Sequence, residues 1–357
     1  MRSEYLKGLV LAGGRGRRLR PLTYSQQKQL IPVGNQPILF YAVQDLLRAG
    51  IEDIGIVVGP NREQVEAAVR EAGFGGRFTF IVQEAPRGLA HAIVAAKGFL
   101  GASPFVMYLG DNLLRGGIGP YVEAFLADGG EAQVLLSPVT HPEQFGVAHL
   151  EEDGSVRRLV EKPAHPGSNL ALCGIYCFRS SIVAAAERIS PSWRGELEIT
   201  DAIQWLLERG CRVRAQTVHG WWKDTGEPED LLDANRLVLD ELEGSNQGVM
   251  EETTIEGRVV VGPGTVLRRA RLIGPVIVGS GCEIGPGTRI GPYTSVGDGC
   301  RIVGTEVVSS IVMEASTITC GHSVVDSVIG RGVHLRERED RHRRCRLVVG
   351  DHSEVEL

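Results

Sequence analysis

No apolar run in this 357-residue sequence reaches the roughly 18 residues that a membrane-crossing helix needs. Leu9-Val10-Leu11-Ala12 is too short for the apolar core of an export signal and runs straight into glycines and arginines. No membrane partner is therefore expected, and a soluble, cytoplasmic protein is. Excess positive charge is missing too. Against 44 acidic residues stand 38 Lys and Arg, and a net charge of −6 gives no support to a general nucleic-acid binder. The seven cysteines are an odd number and contain no Cys-x-x-Cys pair, which argues against a disulfide framework or a zinc site. No strict Gly-X-Y period runs through the chain, and 43% apolar with 23% charged residues is a globular composition. The length allows two or three domains.

Glycine is what the chain has in excess: 46 residues, about 13% against a usual figure of roughly 7%. Their distribution changes near Gly244. Before it they are scattered or gather at the ends of apolar runs. Beyond it they come in step, with 11 in the 43 residues from Gly257 to Gly299. Two domains are expected, 1–244 and 245–357.

The first part alternates strand and helix patterns. Residues 6–11, 54–58, 78–82 and 105–109 read as strands, and 37–49, 63–72 and 89–99 as helices. Segments 132–139 and 146–150 add strands. Residues 200–209, with Thr200 as cap and Gly210 as stop, and 227–242 add helices. This order predicts an α/β, Rossmann-like domain with a mixed, mostly parallel sheet. In such sheets ligands gather at the carboxyl ends of the strands, which singles out the loops after Leu11 and Leu109.

The second part has a period of six. Val278, Ile284, Ile290, Val296 and Ile302 are six apart, and Gly279, Gly285, Gly291 and Gly297 follow the first four. Val261-Gly262 and Ile273-Gly274 carry the same pair, and the five-residue step from Ile273 to Val278 implies one phase slip. This is a hexapeptide repeat. The aliphatic residue points inward, glycine permits the corner, and three faces close a coil of roughly 18 residues. Residues 249–333 would make about four to five coils.

The strongest local feature is Leu11-Ala12-Gly13-Gly14-Arg15-Gly16-Arg17-Arg18-Leu19-Arg20-Pro21-Leu22-Thr23. It follows a predicted strand, its glycines let backbone N–H groups turn toward an anion, and its arginines supply countercharge. It is no Walker A loop, because no Gly-Lys-Ser/Thr follows. It is no dinucleotide fingerprint either, because Gly14-x-Gly16-x-x ends in Leu19.

With Lys28-Gln29-Leu30-Ile31-Pro32 downstream, this loop resembles the sugar-phosphate nucleotidylyltransferases, and the Lys-Gln-Leu form resembles their glucose-1-phosphate thymidylyltransferase branch. The likeness continues in Gly88-Leu89-Ala90-His91-Ala92, Leu109-Gly110-Asp111-Asn112, Phe145-Gly146-Val147, Glu161-Lys162-Pro163, the 194–201 segment and Trp222-Lys223-Asp224-Thr225-Gly226. The repeats and the 347–353 ending resemble the long form of that branch, whose repeats form a left-handed parallel β-helix.

The resemblance implies attack by the phosphate oxygen of glucose-1-phosphate on the α-phosphorus of dTTP. Two anions must meet, so charge neutralisation and in-line positioning are the main tasks. Arg18 and Lys28 match the catalytic cations. Leu11, Gly13, Gly14, Gly16, Gln29, Gln83 and Gly88 match nucleotide-binding positions. The Gln83 amide suits the pairing edge of thymine or uracil, and Gly88 would let the base approach the backbone. Gly146, Glu161, Lys162, Asn169 and Leu172 match sugar-phosphate positions, with Cys173 where the family has threonine. Asp111 and Asp224 match the carboxylates that hold Mg²⁺, a cation that takes hard oxygen ligands. A sugar phosphate is already ionised, so the transfer needs no general base.

Two other functions fit parts of this pattern. One is a UTP-dependent uridylyltransferase with acetyl transfer in the β-helix, for which His322, His334, His342 and His352 are candidate bases. The chain has Lys28-Gln29-Leu30 where those relatives carry a Pro-Lys pair. The other is a non-catalytic sugar-nucleotide sensor or scaffold, against which Arg18, Lys28, Asp111 and Asp224 together argue. Side-by-side association into a homo-oligomer is the role expected of the repeats. The basic run 336–346 is expected to be a solvated end-cap or subunit contact.

Overall fold

The structure, a computed structural model, describes residues 5–59, 62–336, 344–345 and 347–356. It divides into two compact units. One is the chain up to Arg15 with Ile38–Asp224; the other is Gly16–Pro37 with Thr225–Leu357. This grouping differs from a division at 244/245, because the Gly16–Pro37 segment and the helix Pro228–Asp240 go with the repeats. Among the described residues no helix is long and apolar enough to cross a membrane.

The first unit is built on a nine-stranded sheet. Its path runs Val156–Glu161, Gly146–Leu150, Leu170–Phe178, Phe105–Leu109, Lys7–Ala12, Asp53–Val58, Arg77–Val82. Ala132–Pro138 also pairs with Leu170–Phe178, and Val213–Thr217 with Ala132–Pro138. The four strands from Phe105–Leu109 to Arg77–Val82 are parallel. Leu170–Phe178 is antiparallel to its neighbours, so the sheet is mixed, as the sequence pattern implies. Its core gathers Leu9, Phe105, Met107, Val134 and Phe178 against the buried faces of Leu89–Ala95, Ser181–Ala186 and Ile199–Leu207. The 89–99 segment is two helices, Leu89–Ala95 and Lys97–Leu100, that meet at Ala96. Thr200 is not the cap of its helix. Glu198 holds that position, and Thr200 lies inside Ile199–Leu207 with its hydroxyl turned to Glu161.

The second unit is a left-handed parallel β-helix joined by the helix Pro228–Asp240 and the Gly16–Pro37 segment. Its described strands stack into three parallel sheets of seven, seven and six. Val276 pairs with Thr294 and Ile311 with Val328, steps of 18 and 17 residues. Val278, Ile284, Ile290, Val296 and Ile302 are all fully buried in one core, contributed in turn by the three sheets. The coils extend past 249–333. Ser245–Asn246 pairs below, and Val348–Val349 and Glu354–Glu356 pair above.

The phase slip lies elsewhere than the pattern suggests. Leu272, not Ile273, is the inward residue, so the five-residue step falls between Leu267 and Leu272. The Val-Gly and Ile-Gly signature misleads at Ile273 because Gly274 is small for another reason: a Cβ there would overlap the Arg258 carbonyl. The glycines after the inward residues also have a cause of their own. A Cβ on Gly291 would lie 2.6 Å from Val308 Cγ2, and one on Gly297 2.6 Å from Glu314 N. They admit the next coil rather than a left-handed backbone.

Buried hydroxyls and thiols close the corners. Thr265 Oγ1 donates to the Gly279 carbonyl at 2.6 Å, Cys282 Sγ to Gly297 at 3.1 Å, and Ser316 Oγ to Gly330 at 2.8 Å. Truncating a central inward residue, Ile302→Ala, should destabilise the protein by about 2–5 kcal/mol through lost burial and the cavity left, read as a fall in the midpoint of denaturant unfolding. Of the basic run 336–346, residues 337–343 and 346, His342 among them, lie outside the described residues.

Candidate active site

The parallel strands of the first unit end in register. Leu11 pairs with Val57 and with Leu109. The Gly110 N–H donates to the Leu11 carbonyl at 2.9 Å, and the Gln83 N–H to that of Val58 at 2.8 Å. Gly13, Gln83 and Asp111 thus stand just past the carboxyl ends of three neighbouring or near-neighbouring strands, where a ligand site belongs. Leu11 is buried and Gly14 exposed.

Gln83 is held in one orientation. Its Nε2 donates to the Gly88 carbonyl at 3.2 Å and lies 3.0 Å from His91 Nδ1. Burial, then the Arg87 charge, pushes His91 below the ordinary histidine range, and opposite the Nε2 donor its Nδ1 stands as acceptor. That leaves Oε1 toward Gly13, where an added Cβ would meet it at 3.5 Å. Gly88 itself has φ +104°, and a Cβ there would overlap the Leu197 backbone. Leu197 therefore requires glycine at 88, whatever else approaches.

Asp224 lies at one end of a small ladder, and Asp111 immediately precedes its other strand. Asn112–Leu114 and Trp222–Asp224 pair antiparallel, with Asn112 opposite Asp224. Asn112, almost fully buried, donates Nδ2 to Asp111 Oδ1 at 3.0 Å and accepts from Trp222 Nε1 at 2.8 Å. The Trp222 ring lies edge-on to Phe145 at 5.5 Å. Sequence reasoning missed Asn112 and Trp222 as supports, although each sits beside an aspartate it had singled out. Two carboxylates, with one aimed by a buried amide, suit a hard cation that completes its shell with phosphate and water. Among the described residues no cluster of three or more His, Cys, Asp and Glu forms a larger metal site.

The sugar-phosphate candidates form a second cluster of the same unit. Glu161 lies directly opposite Gly146 across a hairpin. A Cβ on Gly146 would meet Thr200 Cγ2 at 2.8 Å, Leu172 Cδ1 at 2.9 Å and Glu161 Oε2 at 3.2 Å. Glu161 Oε2 accepts from Thr200 Oγ1 at 3.2 Å, and Oε1 from Arg194 at 3.3 Å. Arg194 also pairs with Glu196 and Glu198, at 3.4 and 3.2 Å. Burial, then the neighbouring Glu198, raises the Glu161 carboxyl above the ordinary glutamate range. Lys162 adopts φ +40° and donates its N–H to the Phe145 carbonyl. Asn169 is exposed, and its carbonyl accepts from the Val139 N–H. Cys173 is fully buried. Thr200 and Arg194 were missed as site residues because their motif carries no chemistry until it folds against Glu161.

Gly16, Arg18, Lys28 and Gln29 belong to the other unit. Gly16 has φ +58°, and a Cβ there would press on Thr23 and Lys28. Thr23 Oγ1 donates to the Gly16 carbonyl at 2.7 Å. Arg18, exposed, pairs with Glu227 at 3.2 Å, the residue that caps Pro228–Asp240. Lys28 and Gln29 are buried, and Gln29 Oε1 has no hydrogen-bond partner among the described residues.

A family model described as Nucleotidyl transferase matches residues 7–241. A glucose-1-phosphate thymidylyltransferase of Streptomyces antibioticus is 48% identical over 356 residues, covering 99% of each chain. One of Streptomyces griseus is 44% identical over 354 residues with the same coverage. Among solved structures, a 2.76 Å crystal structure of a Bacillus anthracis protein, described as a candidate glucose-1-phosphate thymidylyltransferase in complex with a sucrose, is similar at TM-score 0.61. It is 39% identical and covers 67% of this chain and 98% of that one.

Proposed function

This chain belongs to the nucleotidyl transferase family, and from that premise we propose that it is a Mg²⁺-dependent glucose-1-phosphate thymidylyltransferase. A phosphate oxygen of glucose-1-phosphate attacks the α-phosphorus of dTTP. The bond from that phosphorus to the bridging oxygen breaks, and dTDP-glucose and pyrophosphate form. The pairing of Asn112 with Asp224, which leaves Asp111 one residue before the strand that Asp224 faces, is the observation that supports the reading.

Each group of residues has a task in it. The Gln83 Oε1, turned toward Gly13 by its amide's other bonds, accepts the N3–H of the base. Arg18 and Lys28 neutralise the triphosphate and the incoming phosphate; removing such a donor typically lowers rate by ~10²–10³. Glu161 accepts from sugar hydroxyls, held by Thr200 and Arg194. Lys162 pairs with the sugar phosphate, and Asn169 and Leu172 complete that side. Asp111 and Asp224 hold the Mg²⁺, and Asn112 and Trp222 keep Asp111 aimed. The chemistry a Mg²⁺ held there would supply is polarisation of the phosphoryl group and countercharge for its oxygens.

The same reading has the β-helix join subunits into a homo-oligomer. His322 is buried within the repeats, whereas His334 and His352 are exposed, so acetyl transfer is decided by the acetyl-CoA arm of the test. The test is pyrophosphate release by the purified protein with Mg²⁺, across dTTP and UTP, glucose-1-phosphate and glucosamine-1-phosphate, with acetyl-CoA as a further arm. Release is expected with dTTP and glucose-1-phosphate. None there would overturn the assignment, and a clear preference for UTP would move it to the uridylyl branch.

A further inference from the structure

The segment that carries Arg18 and Lys28 is fastened to the β-helix at several coils in turn. Pro32–Val33 and Gln36–Pro37 form a small hairpin whose tip is Gly34-Asn35, both residues at positive φ, the backbone a two-residue turn of this kind requires. Gly34 N–H donates to Asn235 Oδ1 at 2.9 Å, and Asn35 Nδ2 to the Val296 carbonyl at 2.6 Å. Asn235, fully buried on Pro228–Asp240, makes three side-chain hydrogen bonds in all among the described residues. It also accepts from Ser295 Oγ at 2.6 Å and donates to the Tyr293 carbonyl at 3.0 Å.

Farther back along the segment, Gln26 Nε2 contacts Met313 Sδ at 3.4 Å, with both residues buried. Ser25 Oγ donates to Asp351 Oδ2 at 2.8 Å, and a Cβ on Gly350 would lie 3.2 Å from the Pro21 carbonyl. Val296, Met313 and Gly350 occupy or directly follow strands of a single stacked sheet, Thr294–Val296, Ile311–Val312 and Val348–Val349. As the segment runs from Asn35 back to Pro21, it therefore climbs that sheet's edge from lower to higher coils. Lys28 lies between two of these anchors, and Arg18 lies just before the last of them.

We infer that the coils act as a jig for the reaction: Asn35, Asn235, Gln26, Met313, Ser25 and Asp351 are positioning residues that set where the backbone carrying Arg18 and Lys28 lies. The hexapeptide repeat then has a catalytic consequence of its own. Coil spacing is rigid because each coil is bonded to the next, so a strap tied at three heights has little freedom to slide. Small displacements of phosphate-binding cations lower the rate steeply, since they must match a transition state. The inference rests on the transferase reading above for its consequence, though not for its geometry.

The experiment uses the full chain. Asn35→Gly keeps the positive-φ backbone and removes only the side-chain amide, and Gln26→Leu removes the contact to Met313. The double variant should lower kcat by about tenfold, with the KM for glucose-1-phosphate and the thermal midpoint unchanged. Amide hydrogen exchange should quicken in 16–37 and stay as it was in 53–58 and 105–109. An active wild type with an unaltered variant kcat, or unaltered exchange in 16–37, would overturn the inference. If the double variant unfolds as a whole, Ser25→Ala with Asp351→Asn takes its place. Those two groups bond at the surface, and their kcat effects should be coupled, not additive. A wild type that releases no pyrophosphate would overturn the functional reading instead, and the exchange measurement would still decide this one.

Discussion

Asp111→Asn should lower pyrophosphate release on the order of 10²–10³-fold while the protein stays folded. The substitution is nearly isosteric. The Asn112 Nδ2, now 3.0 Å from Asp111 Oδ1, can donate equally well to the oxygen of the introduced amide. What disappears is one negative charge just past the carboxyl end of the strand Phe105–Leu109. Mg²⁺ is held by few carboxylates, and its remaining ligands are phosphates and waters, so the loss of one of two falls directly on metal retention. Asp224, opposite Asn112 on the paired strand, remains. Activity should therefore recover partly as Mg²⁺ is raised, which a broken fold would not allow. The measurement is turnover against Mg²⁺ concentration, beside an unfolding curve. Wild-type turnover at every Mg²⁺ concentration would strip Asp111 of the role.

Much of this arrangement can be read in the sequence where a residue's neighbours are close along the chain. The run Phe105–Leu109 is recognisable as a buried strand, so Asp111 can be placed at a strand end without a structure. The inward series from Val278 to Ile302 is legible because its period is local and nearly unbroken. Legibility fails where a contact is made far along the chain. Val156–Glu161, Leu170–Phe178 and Val213–Thr217 escaped notice as strands. Leu170–Phe178 is apolar on both faces, with no period to betray it, and switches partners at Gly174, where φ is +69°. The same blindness hid Asn112, Trp222, Arg194 and Thr200 as supports of the aspartates and of Glu161.

Glycine shows both sides of this. Gly88 resembles a position opened for a nucleotide base, yet Leu197, more than a hundred residues on, already forbids a side chain there. Gly291 and Gly297 read as corner residues, yet their cause is the coil stacked above them. The Gly16–Pro37 segment is the largest case. Its sequence marks it as a phosphate loop, and nothing local marks its fastening to Val296, Met313 and Asp351.

Glu161→Gln should move stability and substrate binding in opposite directions. Glu161 is one of three carboxylates within 3.4 Å of the single guanidinium of Arg194, so negative charge is in local excess. Burial is the main reason its carboxyl titrates above the ordinary glutamate range, and Glu198 adds to it. A raised value in the folded state means that the folded protein binds this proton more readily than the unfolded chain does. The stability it contributes is full below the unfolded-state value and is lost as pH rises through the folded-state value. At neutral pH the wild type therefore carries a buried charge that weakens it, and the neutral amide removes that burden.

The variant should have the higher thermal midpoint at pH 7, and the gap should close as pH falls and Glu161 in the wild type takes up its proton. Function asks for the opposite. An ionised acceptor holds a sugar hydroxyl more strongly than an amide does, by an amount that corresponds to roughly tenfold in affinity. The KM for glucose-1-phosphate should rise by about that factor, with the KM for dTTP unchanged. Thermal midpoints at several pH values and a two-substrate kinetic matrix give both readings. A midpoint that falls at pH 7, or an unchanged KM for glucose-1-phosphate, would show that Glu161 is an ordinary structural partner of Arg194 and not the sugar's acceptor.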